Sequence, residues 1–428
     1  MRLGHDHRQL GGTGDGGPLP GDRVAVRLRR REAAAASDLS HHLYAHFPFC
    51  RLVCAYCDFV TVGGRSADIP RYVEALHAEL ALRPVAGDLQ TVYFGGGTPS
   101  LLQPDAVAGL LSAAEARWRA TPQEVTLEAN PSSREAPDWA GLRAAGVTRI
   151  SLGLQSLRDA DLQALARGHS AAEATAAFAA AREAGFANVS IDLIYGIPGQ
   201  TLADWRDGLQ RAVALDPDHV SLYALQLVLA PDEWAAAPRP GAIRWRRRLA
   251  ARQDDATASD QYRLAEELLE RAGYRHYELS SWARPGFESR HNSAYWDRRA
   301  YSGIGAGAHS YDGVDLRSWN QRDLDAYLAD VEAGRLPRAG SEVLDETTRA
   351  FEAIALGLRR VDGLSRAAFA AQFGSDPADR YPDGVREAVA QGLLELDAER
   401  MRLTADGRLL ASEALLAFLP EPAAAGAA

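Results

Sequence analysis

The chain has 428 residues, 46% of them hydrophobic and 24% charged, the balance of an ordinary soluble globular protein, with a formal net charge of −10. That charge argues against bulk attraction to nucleic acid or anionic lipid, and no apolar run reaches the ~18 residues that would span a bilayer. All 47 basic residues are arginine, which excludes Schiff-base and lysine-nucleophile chemistry.

Residues 1–37 mix Gly, Pro and Arg with Asp6, Asp15, Asp22 and Glu32 and lack an apolar h-region, so they read as a disordered extension or an upstream start rather than a secretory signal. From residue 43 short β-like runs alternate with helical patterns. The strands are expected at 43–47, 91–94, 125–129, 149–154, 189–195 and 220–225, with helices such as 69–82, 104–117 and 171–184 between them. Strand–helix alternation at this spacing predicts a parallel sheet, and six units without a doubly wound return predict a partial (β/α)6 barrel over residues 38–300. A helix at 258–272 leads to an aromatic-rich run at 274–282, and a Gly-rich turn follows at 303–310. Residues 301–340 are expected to connect the barrel to a smaller C-terminal α+β domain, 341–420. Its short helices and a hairpin near 392–403 give it the size of a winged helix, and 421–428 is expected as a frayed tail.

The only cysteines stand together, in His46-Phe-Pro-Phe-Cys50-Arg-Leu-Val-Cys54-Ala-Tyr-Cys57-Asp-Phe59, directly after the first expected strand. A disulfide framework would use an even number spread through a secreted chain. Three thiolates at C-x3-C-x2-C spacing can instead wrap one cube and ligate three of its four irons, leaving the fourth open. The other readings are inert buried thiols or zinc, and zinc wants four ligands in two separated pairs. The motif resembles that of the radical-SAM superfamily. There the amino and carboxylate groups of S-adenosylmethionine (SAM) complete the open iron of a 4Fe–4S cluster, and a cluster electron cleaves the sulfonium to a 5′-deoxyadenosyl radical.

Polar residues recur at the ends of the later strands. Gly95-Gly-Gly-Thr98-Pro99 follows the second, and three glycines let backbone approach a ligand closely. Glu128, Gln155 and Asp192 end the next three strands. Each alone is as much a solvated edge as a site, but together they converge on one barrel mouth. The two carboxylates suit the ammonium or ribose hydroxyls of SAM, Gln155 its adenosyl part, and Arg167 its carboxylate in a bidentate pair.

The set Tyr44-x-His46-x-Pro48-Phe-Cys50, Gly95-Gly-Gly-Thr-Pro-Ser100, Glu128-Ala-Asn-Pro, Gly153-Leu-Gln-Ser and Asp192-Leu-Ile-Tyr-Gly-Ile-Pro-Gly-Gln200 resembles the anaerobic coproporphyrinogen III dehydrogenase family over residues 43–410. The resemblance implies SAM contacts at Tyr44, Gly96, Gly97, Thr98, Glu128, Gln155, Arg167 and Asp192, and a second-SAM contact at Tyr56. The oxidising branch keeps a fourth cysteine two residues after the third. Here that position is Phe59, as in the HemW branch of haem chaperones, which also matches in His291-Asn-Ser-Ala-Tyr295-Trp296 and Gly303-Ile-Gly-Ala-Gly-Ala-His309-Ser310.

Residue types alone make His291 a hydrogen-bonded structural histidine, while the branch resemblance adds an axial haem ligand flanked by Tyr295 and Trp296. Arg290, Arg298 and Arg299 could pair propionates, and His309 and His276 are the weaker ligand candidates. The expected function is a cytoplasmic haem chaperone that carries haem as cargo to respiratory haem proteins and meets membranes only through those partners. The alternatives are an oxygen-independent coproporphyrinogen III oxidase and a radical-SAM enzyme of unrelated substrate.

Overall fold

A computed structural model describes residues 40–132, 134–227 and 240–419 of the chain. The expectations for 1–37 and for the tail lie outside these residues. Six strands, β1 (Ser40–Phe47), β2 (Asp88–Gly96), β3 (Glu124–Ala129), β4 (Arg149–Gln155), β5 (Asn188–Tyr195) and β6 (His219–Ala224), pair in parallel and in chain order. Each falls on one of the expected runs.

Their composition follows from a barrel with two different faces. Leu127, Ile150, Leu152, Val189, Ile191 and Val220 are fully buried in one apolar core beneath the helices. The intervening positions are polar and bond across the lumen side: Ser151 Oγ donates to both Asp192 carboxylate oxygens at 3.3 and 3.2 Å, and Ser190 Oγ lies 2.8 Å from His219 Nδ1. β1 starts three residues before the expected 43 because its first positions are polar and still buried. His41 bonds Ser302 and His42 bonds Thr91, which an apolar pattern cannot register.

The covering helices begin and end on local signals. α1 (Ile69–Leu82) and α2 (Pro104–Trp118) carry Pro in their first turn, where a missing N–H costs nothing. α3 (Ala171–Glu183) and α4 (Leu202–Ala214) open with capping boxes, Ser170 with Glu173 and Thr201 with Asp204. α3 is followed by Gly185 at φ 87°, a left-handed stop that favours glycine. α5 (Pro240–Ala250) and α6 (Asp255–Arg271) precede two short edge strands, β7 (Arg275–Glu278) and β8 (Ser281–Ala283).

The segment expected as a connector, 301–340, builds sheet instead. After α7 (Arg290–Trp296), β9 (Ala300–Ile304) pairs in parallel with β1. β10 (His309–Tyr311), β11 (Leu316–Asn320) and β12 (Arg338–Val343) then extend it antiparallel to a twelve-stranded sheet, ordered β12-β11-β10-β9-β1-β2-β3-β4-β5-β6-β8-β7. These strands are short and carry Ser and Arg among their apolar residues, so their periodicity is weak. What holds them is long-range. The fully buried Glu79 carboxylate of α1 accepts from Arg83, from Asn320 Nδ2 at 2.7 Å, from Tyr327 Oη at 2.8 Å and from Gly305 N at 2.8 Å. A buried carboxylate needs that many donors, and its partners span 226 to 248 positions of sequence apart from the arginine one turn away.

Beyond α8 (Leu324–Glu332) and α9 (Glu346–Gly357) the chain forms a second apolar core, around Ile354, Phe369, Val385, Leu394 and Met401, with a three-stranded antiparallel sheet that includes 394–396 and 400–403. This is the small α+β domain expected at the C-terminus. Among the described residues no helix is long and apolar enough to cross a membrane.

Candidate functional site

The cysteine loop stands at the C-terminal ends of the parallel strands. Phe49–Cys50 pairs with Val62–Gly63, so the intervening residues fold back as one closed loop. It is pinned by Val62 N to Pro48 O at 2.7 Å and by the His46 imidazole, whose Nε2 lies 2.8 Å from Val60 O. Cys50 is buried, while Cys54 and Cys57 are half-buried.

Two donors are aimed at sulfur. Thr98 Oγ1 reaches Cys50 Sγ at 3.5 Å, and Arg167 Nη1 reaches Cys54 Sγ at 3.1 Å. Burial pushes the Cys50 thiol up to about 12 and the Cys57 thiol up to about 11, with Cys57 and Cys54 adding to the first shift and Cys54 to the second. The raised Cys50 and Cys57 thiols need a nearby cation to ionise, and N–H and O–H donors at thiolate sulfur are what an iron–sulfur site uses to tune its potential. Among the described residues no group of three or more His, Cys, Asp or Glu side chains is arranged to hold a single metal ion.

Around the loop the expected SAM residues do come together. Gly97 N donates to Phe47 O at 2.7 Å, and a Cβ on Gly97 would stand 2.7–2.8 Å from the Pro48 and Phe49 carbonyl oxygens, so backbone is crossed by backbone there. Glu128 accepts from Gly96 N at 2.9 Å and from Tyr93 Oη at 2.8 Å. Burial outweighs those bonds and raises its carboxyl to about 7, and burial likewise raises Asp192 to about 6 against the pull of Arg149. Tyr44 stacks on Tyr93 with 6.0 Å between ring centroids and bonds His46 Nδ1 at 3.0 Å. Gln155 ends β4 at φ 65°, a left-handed conformation that is uncommon outside glycine and asparagine, and strain of this kind collects at functional sites.

Arg167 stands beside the cysteine loop with protein partners on both of its terminal nitrogens. Its Nη1 is committed to Cys54 Sγ and, at 3.3 Å, to Tyr56 Oη; its Nη2 is committed to Asn130 Oδ1 at 3.0 Å and Gly153 O at 2.9 Å. The guanidinium ties the cysteine loop to the ends of β3 and β4. Tyr56, held by it, packs against Trp245.

The haem-site trio is not at the mouth. α7 plugs the opposite end of the barrel, its N-terminus capped by Glu124, which accepts from Arg290 N at 3.0 Å and His291 N at 3.1 Å. His291 is 1% exposed, with Nδ1 2.7 Å from Thr91 Oγ1 and Nε2 2.9 Å from Tyr295 Oη. Both ring nitrogens are hydrogen-bonded within the protein. Trp296 is covered by the Arg359 guanidinium at 4.3 Å.

Two residues at the site had no signal in the sequence. Tyr93 is a strand-interior tyrosine until its bond to Glu128 is seen. Arg246 of α5, buried to 2%, reaches Ala55 O at 2.9 Å, Cys57 O at 3.3 Å and Asp58 Oδ1 at 2.5 Å from an arginine run of no recognisable spacing.

Residues 44–212 match the family model "Radical SAM superfamily" and residues 344–410 the "HemN C-terminal domain". "Heme chaperone HemW" of Mycobacterium tuberculosis is 40% identical over 386 residues, covering 88% of this chain and 94% of the relative. The chain belongs to the HemW family of radical SAM proteins. The Escherichia coli heme chaperone HemW is 33% identical, with 89% of this chain and 98% of the relative covered. The mouse mitochondrial "Radical S-adenosyl methionine domain-containing protein 1" is 35% identical, with 89% and 87% covered. Among solved structures, coproporphyrinogen III oxidase (HemN) from E. coli superposes with a TM-score of 0.76 at 23% identity, covering 92% of this chain and 93% of that one, a shared fold. Membership of the radical SAM family implies a 4Fe–4S cluster and SAM, and the cysteine loop with its sulfur-directed donors fits that cluster.

Proposed function

We propose that this protein is a haem chaperone that holds a 4Fe–4S cluster on Cys50, Cys54 and Cys57, binds SAM at the barrel mouth and delivers haem in the cytoplasm to respiratory haem proteins. The observation that carries the reading is the 40% identity to a heme chaperone along nearly the whole of both chains. Residue chemistry agrees at the position that divides the wider family. Phe59 stands where the oxidising branch has its fourth cysteine, and it is 68% exposed at the mouth, so no fourth thiol is offered there. When bound, the cluster supplies the electron that cleaves SAM. Glu128, Asp192 and Gln155 orient SAM, Gly96 and Gly97 let it approach the backbone, and Thr98 and Arg167 hold the cysteine sulfurs.

The test is made on anaerobically reconstituted protein. It should bind about four irons per chain, take up haem with a Soret band, and leave coproporphyrinogen III unconverted when given SAM and a reductant. Decarboxylation at enzymatic rates would replace this reading with the oxidase.

A further inference from the structure

We propose that Arg149 is an anion receptor inside the barrel lumen, taking the carboxylate of an organic acid between its guanidinium and the Thr126 hydroxyl. The inference goes beyond the chaperone reading and stands on the barrel alone.

Arg149 opens β4, where it pairs with Thr126 of β3 on one side and Asn188 of β5 on the other. It faces the lumen, because Ser151, two residues on and on the same face, bonds Asp192 there. The residue is 2% exposed. Its Nε has no hydrogen-bond partner, and among the described residues the guanidinium joins no hydrogen bond or ion pair. Thr126, fully buried, also leaves its hydroxyl unpartnered. Asn188 Oδ1 is unpartnered too, and a side-chain amide can offer either hydrogen-bond sense. Three adjacent positions across three strands therefore hold polar atoms with nothing to bond.

The rest of the lumen is satisfied without them. Asp192 accepts from Ser151, and Glu128 accepts from Gly96 N and Tyr93 Oη. His219 lies 2.8 Å from Ser190 Oγ and 2.8 Å from Tyr277 Oη, and His291 is held by Thr91 and Tyr295. Burial dominates the titration of Asp192, Glu128, His219 and His291, and the Arg149 charge is felt at all four, which sets the guanidinium among them. A buried cation with no counter-ion destabilises the chain that carries it, and an unsatisfied buried group of this kind marks a ligand's place.

The chemistry selects a carboxylate. The planar guanidinium presents parallel N–H donors that match two carboxylate oxygens, and the Thr126 hydroxyl can donate to a remaining lone pair. A phosphate dianion would leave net negative charge beside Glu128 and Asp192. In the proposed function those two carboxylates serve a cationic ligand at the mouth, which leaves Arg149 as the receptor for negative charge. A free organic acid and a propionate of haem offer it the same group.

The test is equilibrium dialysis of the full-length, cluster-loaded protein against radiolabelled propionate, with hemin as competitor. It is run on the wild type, Arg149→Met, Arg149→Lys and Thr126→Val, together with the melting temperature of each. Arg149→Met should weaken propionate binding at least about tenfold. It should also melt higher than the wild type, because it removes a buried charge that no residue pairs. A purely structural cation would do the reverse, so a methionine variant that melts lower overturns the receptor. Arg149→Lys should keep part of the binding, and Thr126→Val should weaken it about two- to twelvefold, the worth of one hydrogen bond. Displacement by hemin assigns the carboxylate to a haem propionate, and no displacement assigns it to a separate acid; both keep it on Arg149. A wild type that binds no propionate, or binds it no better than Arg149→Met, overturns the site and leaves the guanidinium to water. Neither result touches the chaperone reading.

Discussion

Replacing Arg246 by methionine should cost the cysteine loop its outer clamp. The side chain is buried to 2% and crosses from α5 to the loop, donating to Ala55 O at 2.9 Å and Cys57 O at 3.3 Å and pairing with Asp58 Oδ1 at 2.5 Å. Methionine keeps much of the buried stem volume and removes the three polar contacts. Charge-assisted hydrogen bonds are worth about 1.5–3 kcal/mol each, so the two carbonyl bonds together represent about 3–6 kcal/mol. The Asp58 pair adds little, at most about 1 kcal/mol, because that carboxylate is 57% exposed and screened. Most of this energy orders residues 55–58 rather than the whole barrel. It should therefore appear as faster loss of iron and of cluster absorbance under oxygen, with a smaller shift in the urea midpoint of the metal-free protein. Arg246→Lys, which keeps one donor direction and the charge, should recover part of the cluster lifetime. Equal rates of iron loss in wild type and Arg246→Met would refute the clamp.

SAM binding should strengthen as pH rises from 6 to 8. Glu128 and Asp192 are held up to about 7 and about 6 by burial, and only their ionised forms attract the cationic ligand. At pH 6 a group with a pKa of 7 is about nine-tenths protonated, so affinity measured by anaerobic calorimetry should fall up to about tenfold, and Glu128→Gln should flatten that dependence. A pH-independent affinity in the wild type would contradict it. His291→Ala should lower the unfolding free energy by about 2–4 kcal/mol, because it strips two buried hydrogen bonds and leaves Thr91 and Tyr295 without their ring partner. The haem spectrum of the variant should remain that of the wild type; a lost Soret band in a protein still folded by circular dichroism would return the ligand to His291.

What the sequence determined by itself was local. C-x3-C-x2-C spacing fixes three thiols on one loop whatever the fold, and six alternating strand–helix units point to a parallel sheet without a doubly wound return. The strand-end polar residues followed from the same arithmetic, since a barrel gathers the ends of its strands. Tertiary structure decided whatever depends on partners distant in sequence. The short strands of 300–343 are sheet because Glu79 accepts bonds from Asn320, Tyr327 and Gly305, and no local pattern announces a buried carboxylate's donors. The tie that Arg167 makes between loop and strands, through Cys54, Asn130 and Gly153, likewise joins residues that no local pattern links. His291 is held at the barrel floor in the same way, with Thr91, 200 positions away, brought to one ring nitrogen and Tyr295 to the other. Burying a polar ring needs partners for its nitrogens, and a partner so distant in sequence is supplied only by the folded chain.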